Sequence, residues 1–359
     1  MNTSSDAPVN IAVAGAGLIG REHIRVINAD PDCRLCAIID PTPAARDMAQ
    51  QHQAAWYPDL DAALKTTQQA ASRPDAIVLA TPNQFHHAHA LQCIAAHMPI
   101  LLEKPLAATV REAEEIVHRA EQNHSKVLIG HHRAHSPIML RAQEAIAQGQ
   151  LGQIVAVQGS ALFYKPDHYF VDGPWRKEPG GGPLALNMIH EVHNLRMLCG
   201  EIVAVQAFTS HATRGFVVED TVVINLRFAS GALGSFVLSD TSASARSWEQ
   251  TSQENKSYPT FEDEDCYHIA GTQGSLSVPT MRLKRFEDDA ERSWWQPMTA
   301  SVLRLAREDP LALQIRHFAQ VVRGQVQARV SARDGLQNLR VTAAIVQAAQ
   351  NGGVVDVQL

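Results

Sequence analysis

The chain reads as an α/β protein of two domains: a doubly wound parallel sheet in residues 1–130, then an α+β domain built on a large, mainly antiparallel sheet in residues 131–359. Three observations predict this. Short apolar runs alternate with helix-like stretches through the first 130 residues, the pattern of a parallel sheet with helices on both faces. After residue 152 the runs lengthen and are separated by turn residues, the pattern of antiparallel strands. With 359 residues, 45% of them hydrophobic and 19% charged, the chain can bury sizeable cores without disulfides or structural metals.

In the first half, NIAVAG, RLCAII, DAIVLA, PILLE and KVLIG have the length and composition of strands buried on both faces. Thr109 and Glu112 form a capping-box pair that satisfies free amides at a helix start. Ser136-Pro137 reads as a cap followed by a first-turn proline, and Gly149 stops that helix. In the second half, QIVAVQGSALFY, EIVAVQAFTSHAT, DTVVINLRFASGALGSFVLSD and HIAGTQGSLSV supply the other sheet, with FASGALG as a hairpin turn. Residues 248–265 are polar and acidic with no period and read as an exposed loop. Helices over 310–323 and 332–350 close the chain.

Composition narrows the function. The five cysteines are odd in number and scattered, which points to a reducing cytoplasm. Cys33 and Cys36 make a single pair, too few ligands for zinc, and read as core residues. A net charge of −6 gives no general pull toward nucleic acid or membranes. Residues 1–8 hold no apolar signal core, and no run approaches membrane-spanning length.

The stretch GAGLIG places Gly15, Gly17 and Gly20 between the first strand and a helix over 18–28, the context a dinucleotide turn requires. Gly15 permits the tight turn, Gly17 lets a pyrophosphate approach the backbone, and Gly20 lets the helix pack on the strand. Leu18 and Ile19 lie in the same turn, where helix amides and dipole favour phosphate. Asp40 ends the second strand, where an acid accepts hydrogen bonds from ribose hydroxyls and repels a 2′-phosphate. The expected cofactor is therefore NAD rather than NADP. An ordinary strand–helix turn and a solvated acid before Pro41 are the plainer alternatives.

The segment ATPNQFHHAHALQCIAAHMPILLEKPLA, residues 80–107, resembles the glucose–fructose oxidoreductase / inositol dehydrogenase family, also called Gfo/Idh/MocA. GHHRAHSP, GGGPLALNMIHEVHNLRMLCG, IAGTQGSLSV and SARDGLQNLRVTAAIV extend the resemblance over nearly the whole chain. It implies an N-terminal Rossmann domain and a C-terminal open sheet that carries substrate and often mediates oligomers, here a homodimer or homotetramer. By position it assigns Thr81, Pro82, Asn83, Glu103 and Lys104 to the cofactor. It also assigns Lys104 and His190 to the reacting centre, the lysine polarising the oxygen and the histidine handling its proton. Leu184, Met188, Val192, Leu195 and Cys199 repeat at the helical period, and His190 lies opposite that stripe beside Asn187 and Asn194. One departure stands out: the aspartate common four residues before the histidine is Leu186 here, leaving Asn187 as the polar neighbour. His190 and His193, one turn apart without a third ligand, do not make a metal site.

The resemblance implies oxidation of a secondary alcohol on a small hydroxylated ring, a sugar, cyclitol or sugar acid. Arg133, Lys165, His168 and Arg176, interleaved with Tyr164, Tyr169 and Trp175, suit an anionic ring held by paired hydrogen bonds and aromatic faces. A cis-dihydrodiol ring carboxylate from aromatic breakdown is one alternative substrate. A non-catalytic, nucleotide-dependent sensor on the same fold is the alternative of another class, since fold alone does not settle function.

Overall fold

The computed structural model describes residues 7–66, 73–288, 290 and 292–359, so residues 1–6 of the polar amino-terminal stretch lie outside the described residues. The chain forms two units, Met1–His135 with Pro310–Leu339, and Ser136–Asp309 with Arg340–Leu359. It therefore returns to the first unit late, where the sequence reading draws one boundary near residue 130.

The first unit runs β1 (Val9–Ala14), α1 (Leu18–Ala29), β2 (Cys33–Ile39), α2 (Pro43–Gln51), β3 (Ala55–Tyr57), α3 (Leu60–Thr66), β4 (Ala76–Leu79), α4 (His86–Ala95), β5 (Ile100–Leu102), α5 (Val110–Gln122) and β6 (Val127–Ile129). All pairings are parallel, in the order β3-β2-β1-β4-β5-β6. Strands β4, β5 and β6 are buried throughout, as strands covered on both faces must be. The order reverses direction between β1 and β4, and ligands in such sheets bind at the carboxyl ends beside that switch. Strand β3 escaped the sequence reading because three half-buried edge residues carry no measurable alternation. The capping box forms as expected: Thr109 accepts from the Glu112 amide while Glu112 accepts from the Thr109 amide. Cys33 and Cys36 lie buried on β2, where burial pushes both thiols up to about 12.

The second unit contains α6 (Pro137–Ala147), β7 (Ile154–Leu162), α7 (Asp167–Val171), α8 (Ile189–Cys199), β8 (Ile202–Ser210), β9 (Thr221–Phe228), β10 (Leu233–Ser239), α9 (Trp248–Thr251), β11 (Tyr267–Gly271), β12 (Gly274–Val278), β13 (Arg282–Arg285) and β14 (Thr299–Val302). After it come α10 (Pro310–Val322), α11 (Ala332–Asn351) and β15 (Val355–Asp356). Its sheet has the order β14-β13-β12-β11-β7-β10-β9-β8-β15, and every pairing except β7 with β10 is antiparallel. Along β9, Val222, Ile224, Leu226 and Phe228 are buried while Val223, Asn225 and Arg227 are open, so one face packs and the other meets solvent. Ser136 caps α6 through the amides of Ile138 and Met139. Residues 248–265 differ from the exposed loop expected of them. They open on buried α9, where Trp248 packs against Tyr267 and donates to Glu254, and only residues 255–263 are exposed. A lone tryptophan inside a polar stretch carries no period, so only its long-range partner reveals the burial.

Helix α10 joins the first unit because its partners are there. Arg316 reaches the Asp30 carboxylate at 3.2 Å, Lys126 donates to the Val322 carbonyl, and the Ile129 amide donates to Val330 beyond β6.

Candidate functional site

At the carboxyl end of β1, Gly15 has φ +93° and a Cβ there would lie 2.5 Å from the Ala80 carbonyl oxygen. A Cβ on Gly20 would lie 1.9 Å from the Gly15 oxygen, whereas one on Gly17 would meet nothing within 4 Å. The turn is thus closed on its inner side and open at Gly17, the position expected to face a pyrophosphate. Gly17 caps α1 without any side-chain hydrogen bond, and no acid stands in the first helical turn, so the amides and dipole favour an anion. Leu18 and Ile19 are apolar yet 85% and 37% exposed, a surface suited to covering a planar ring.

Asp40 lies beside this turn. One carboxyl oxygen accepts the Ala16 amide at 2.9 Å, and the other accepts the Thr42 amide and hydroxyl. Partial burial opposes ionisation, but these donors hold the carboxyl below the usual carboxylate range. The oxygen that accepts only the Ala16 amide keeps a lone pair for a ribose hydroxyl. The residues fit a dinucleotide without a 2′-phosphate. Asp40→Ser is expected to narrow the preference for NAD over NADP by about tenfold, since a like charge is removed from the 2′-position. The ratio of kcat/KM with the two cofactors measures this, and an unchanged ratio would place the ribose contact elsewhere.

Thr81, Pro82 and Asn83 follow β4, and the Thr81 hydroxyl lies 3.1 Å from His89 Nδ1. Glu103 and Lys104 follow β5. Glu103 is buried, with one oxygen 2.8 Å from His23 Nε2 and the other accepting the Lys104 amide at 3.2 Å. Burial opposes its ionisation, but His23, Lys104 and His132 outweigh that and lower its pKa. A Cβ at Gly130 would come within 2.9 Å of this carboxyl, so glycine follows β6 where Glu103 needs the space. His23 escaped the sequence reading: its partner stands 80 residues away. Arg133 sits on the short helical turn His132–His135 of the first unit and is 4% exposed, whereas the other cations with which it was grouped belong to the second unit.

In the second unit, Lys165 Nζ lies 2.9 Å from Asn187 Oδ1 and 3.7 Å from Asp240, over the rings of Phe163 and Tyr169. Burial lowers its pKa, Asp240 opposes this, and Arg214 and Arg176 add to it. Arg214 bonds the Asp240 carboxylate at 2.8 Å and the Lys165 carbonyl. Arg176 stacks 3.8 Å over Tyr169 and donates to its carbonyl. Trp175, next to it, is exposed. A cavity of about 360 Å³ opens beside Arg214, lined also by Tyr164, Phe170, Lys177 and Phe216.

Residues 184–199 are not one regular helix. Leu184–Met188 forms a wide π-type turn that runs into α8, and the Leu184 amide is capped by Glu219 at 2.9 Å. Gly182 makes room for that carboxylate. Burial raises the Glu219 pKa, opposed by the Leu184 amide. The predicted apolar stripe is buried, but so are Glu191, His193 and Asn194. Asn194 therefore does not share an open face with His190, which is half-buried. It donates instead to the Tyr267 hydroxyl, which bonds Glu191. Glu191, Arg214, Glu219 and Asp240 were missed because their partners are distant in sequence. Among the described residues, no group of three or more His, Cys, Asp or Glu side chains could hold a metal ion.

Comparison with known proteins gives these features a context. Residues 9–131 match the profile described as "Oxidoreductase family, NAD-binding Rossmann fold", and residues 139–277 match the "GFO/IDH/MocA C-terminal domain". The chain is similar to 1,5-anhydro-D-fructose reductase of Ensifer adhaerens, 25% identical over 79% of this chain and 80% of that one. It is also similar to inositol 2-dehydrogenase of Rhizobium meliloti, 21% identical over 94% and 96%. In fold it resembles the WlbA dehydrogenase of Bordetella pertussis, solved with NADH and UDP-GlcNAcA, with TM-score 0.75, 23% identity and coverage of 98% and 99%. No helix among the described residues is long and apolar enough to cross a membrane. The chain belongs to the Gfo/Idh/MocA family of oxidoreductases, and its first unit is that family's NAD-binding Rossmann fold.

Proposed function

We propose that the chain oxidises a secondary alcohol on a small hydroxylated ring, with Lys104 holding the reacting oxygen and His190 taking its proton. The observation that carries this is the position of Lys104. It follows β5 at the carboxyl edge of the sheet, the edge that also bears the open Gly17 turn and Asp40. Bound NAD supplies the hydride acceptor. An ammonium at Lys104 stabilises negative charge as the hydroxyl loses its proton, and a neutral imidazole at His190 accepts that proton. The inositol dehydrogenase and anhydrofructose reductase relatives support a cyclitol or sugar-like ring. Purified protein with NAD and a panel of ring polyols and ring acids should produce nicotinamide absorbance with at least one of them. Tight NAD binding with no turnover on any would favour a nucleotide-dependent sensor.

The second unit favours an anionic member of this class, a sugar acid or a dihydrodiol ring carboxylate. Lys165, Arg176 and Arg214 gather around Tyr169 and Asp240. Three basic side chains so placed could pair with a ring carboxylate. Lys165→Met is expected to raise KM for a ring carboxylate by roughly tenfold or more, and to change KM for the neutral ring much less. Equal effects on both would reject the anionic reading. Five free, buried thiols support a cytoplasmic site of action. Apolar Phe208, Val223 and Leu233, exposed on adjoining strands of the larger sheet, support a homodimer or homotetramer.

A further inference from the structure

His86 opens α4 and is 0% exposed. Its Nδ1 lies 2.7 Å from the Pro105 carbonyl oxygen, and its Nε2 lies 2.9 Å from the Thr81 carbonyl oxygen. Both partners are acceptors only. A neutral imidazole carries a single N–H, so it can donate to one of them and must turn a lone pair toward the other. Only the doubly protonated ring satisfies both. The two carbonyls belong to the turn after β4, which begins the Thr81-Pro82-Asn83 segment, and to the residue that follows Lys104. One buried side chain thus spans the two segments that the resemblance assigns to the cofactor and to the reacting oxygen.

We propose that His86 is a positioning residue that clamps the Thr81-Pro82-Asn83 turn to the Lys104 loop, and that its second ring proton completes the clamp. The consequence for turnover rests on the reading of Lys104 given above, while the clamp itself rests on the two contacts. The charged and titratable groups around it come from three elements. Glu103 and Lys104 lie at the end of β5, with opposite effects on the ring's charge. His89 stands one turn along α4, and His23 of α1 holds Glu103. Burial lowers the His86 pKa, and the Pro105 and Thr81 carbonyls and Glu103 oppose it without overcoming it. The second proton is therefore held less tightly than on a free imidazole, and once it is lost as pH rises only one of the two segments stays bonded to the ring.

Ring ¹⁵N spectra of the full-length chain, labelled at histidine and recorded without NAD from pH 5 to 8, test the clamp directly. His86→Phe identifies the signal. Both ring nitrogens of His86 are expected to carry protons shielded from exchange at the acid end, and one of them to be lost within the series. A ring with one proton throughout would overturn the proposal. In kinetics, His86→Phe is expected to lower kcat about tenfold or more, because a displaced Lys104 misaligns the reacting oxygen, while KM for NAD changes less. It should also remove the limb of the kcat–pH profile that follows the second proton. His86→Asn keeps one donor and should recover part of kcat without that limb, so the proposal stays testable if His86→Phe does not fold. Wild-type kinetics and profile in both variants would overturn it. If no substrate turns over with the wild type, the proposed function fails, and the spectra still decide the clamp.

Discussion

Lys104→Ala is expected to lower turnover by roughly a hundredfold or more while leaving NAD affinity within about threefold of wild type, the scale of a lost electrostatic group at a reacting oxygen. The geometry supports a selective effect. Lys104 is half-buried, and the residue before it is held on both sides, by His23 through its carboxylate and by the Leu79 carbonyl through its amide. Truncating the lysine side chain leaves those contacts in place, so the loop should keep its course. The turn expected to bind the dinucleotide is built from other residues, Gly15 to Gly20 with Asp40, and is untouched. Lys104→Arg should recover little, because a planar guanidinium does not occupy the position of a compact ammonium. Single-turnover absorbance at the nicotinamide band separates chemistry from binding. Equal rates in wild type and Lys104→Ala would remove the lysine from the reacting centre.

Gly20→Ala should act in the opposite way, through the cofactor rather than the chemistry. The added methyl would stand 1.9 Å from the Gly15 carbonyl oxygen, a backbone atom that cannot swing aside as a side chain could. Gly15 is itself held, with its amide on the Ile39 carbonyl and the Ala80 oxygen close to where its own Cβ would stand. Either α1 lifts from β1 or the turn deforms. Overpacking of this kind costs about 3 kcal/mol, which corresponds to roughly a hundredfold in NAD affinity if the turn must be rebuilt for binding. Fluorescence titration with NADH and a thermal melt measure the two parts. A variant that bound NADH as tightly as wild type would show that the turn does not hold the pyrophosphate.

The local signals in the chain determined a good deal by themselves. Apolar runs such as DAIVLA and KVLIG became β4 and β6 because a strand covered on both faces has no need of polar alternation. Thr109 with Glu112, and Ser136 before Pro137, set helix starts because a cap and its amides lie within three residues of each other. Gly15, Gly17 and Gly20 announced a dinucleotide turn because their spacing, the strand before them and the helix after them all lie within one short segment. What the tertiary structure alone decided are the pairings between distant residues. His23 with Glu103, His86 with Thr81 and Pro105, Lys165 with Asn187, and Glu219 with Leu184 all join chain segments that no spacing rule connects. The same holds for the return of α10 to the first unit and for the parallel pairing of β7 with β10. The physical reason is common to all of them. Caps, turns and periodicity are energies of neighbouring residues, whereas the partner of a buried charge is chosen only when the sheets bring separate strand ends together.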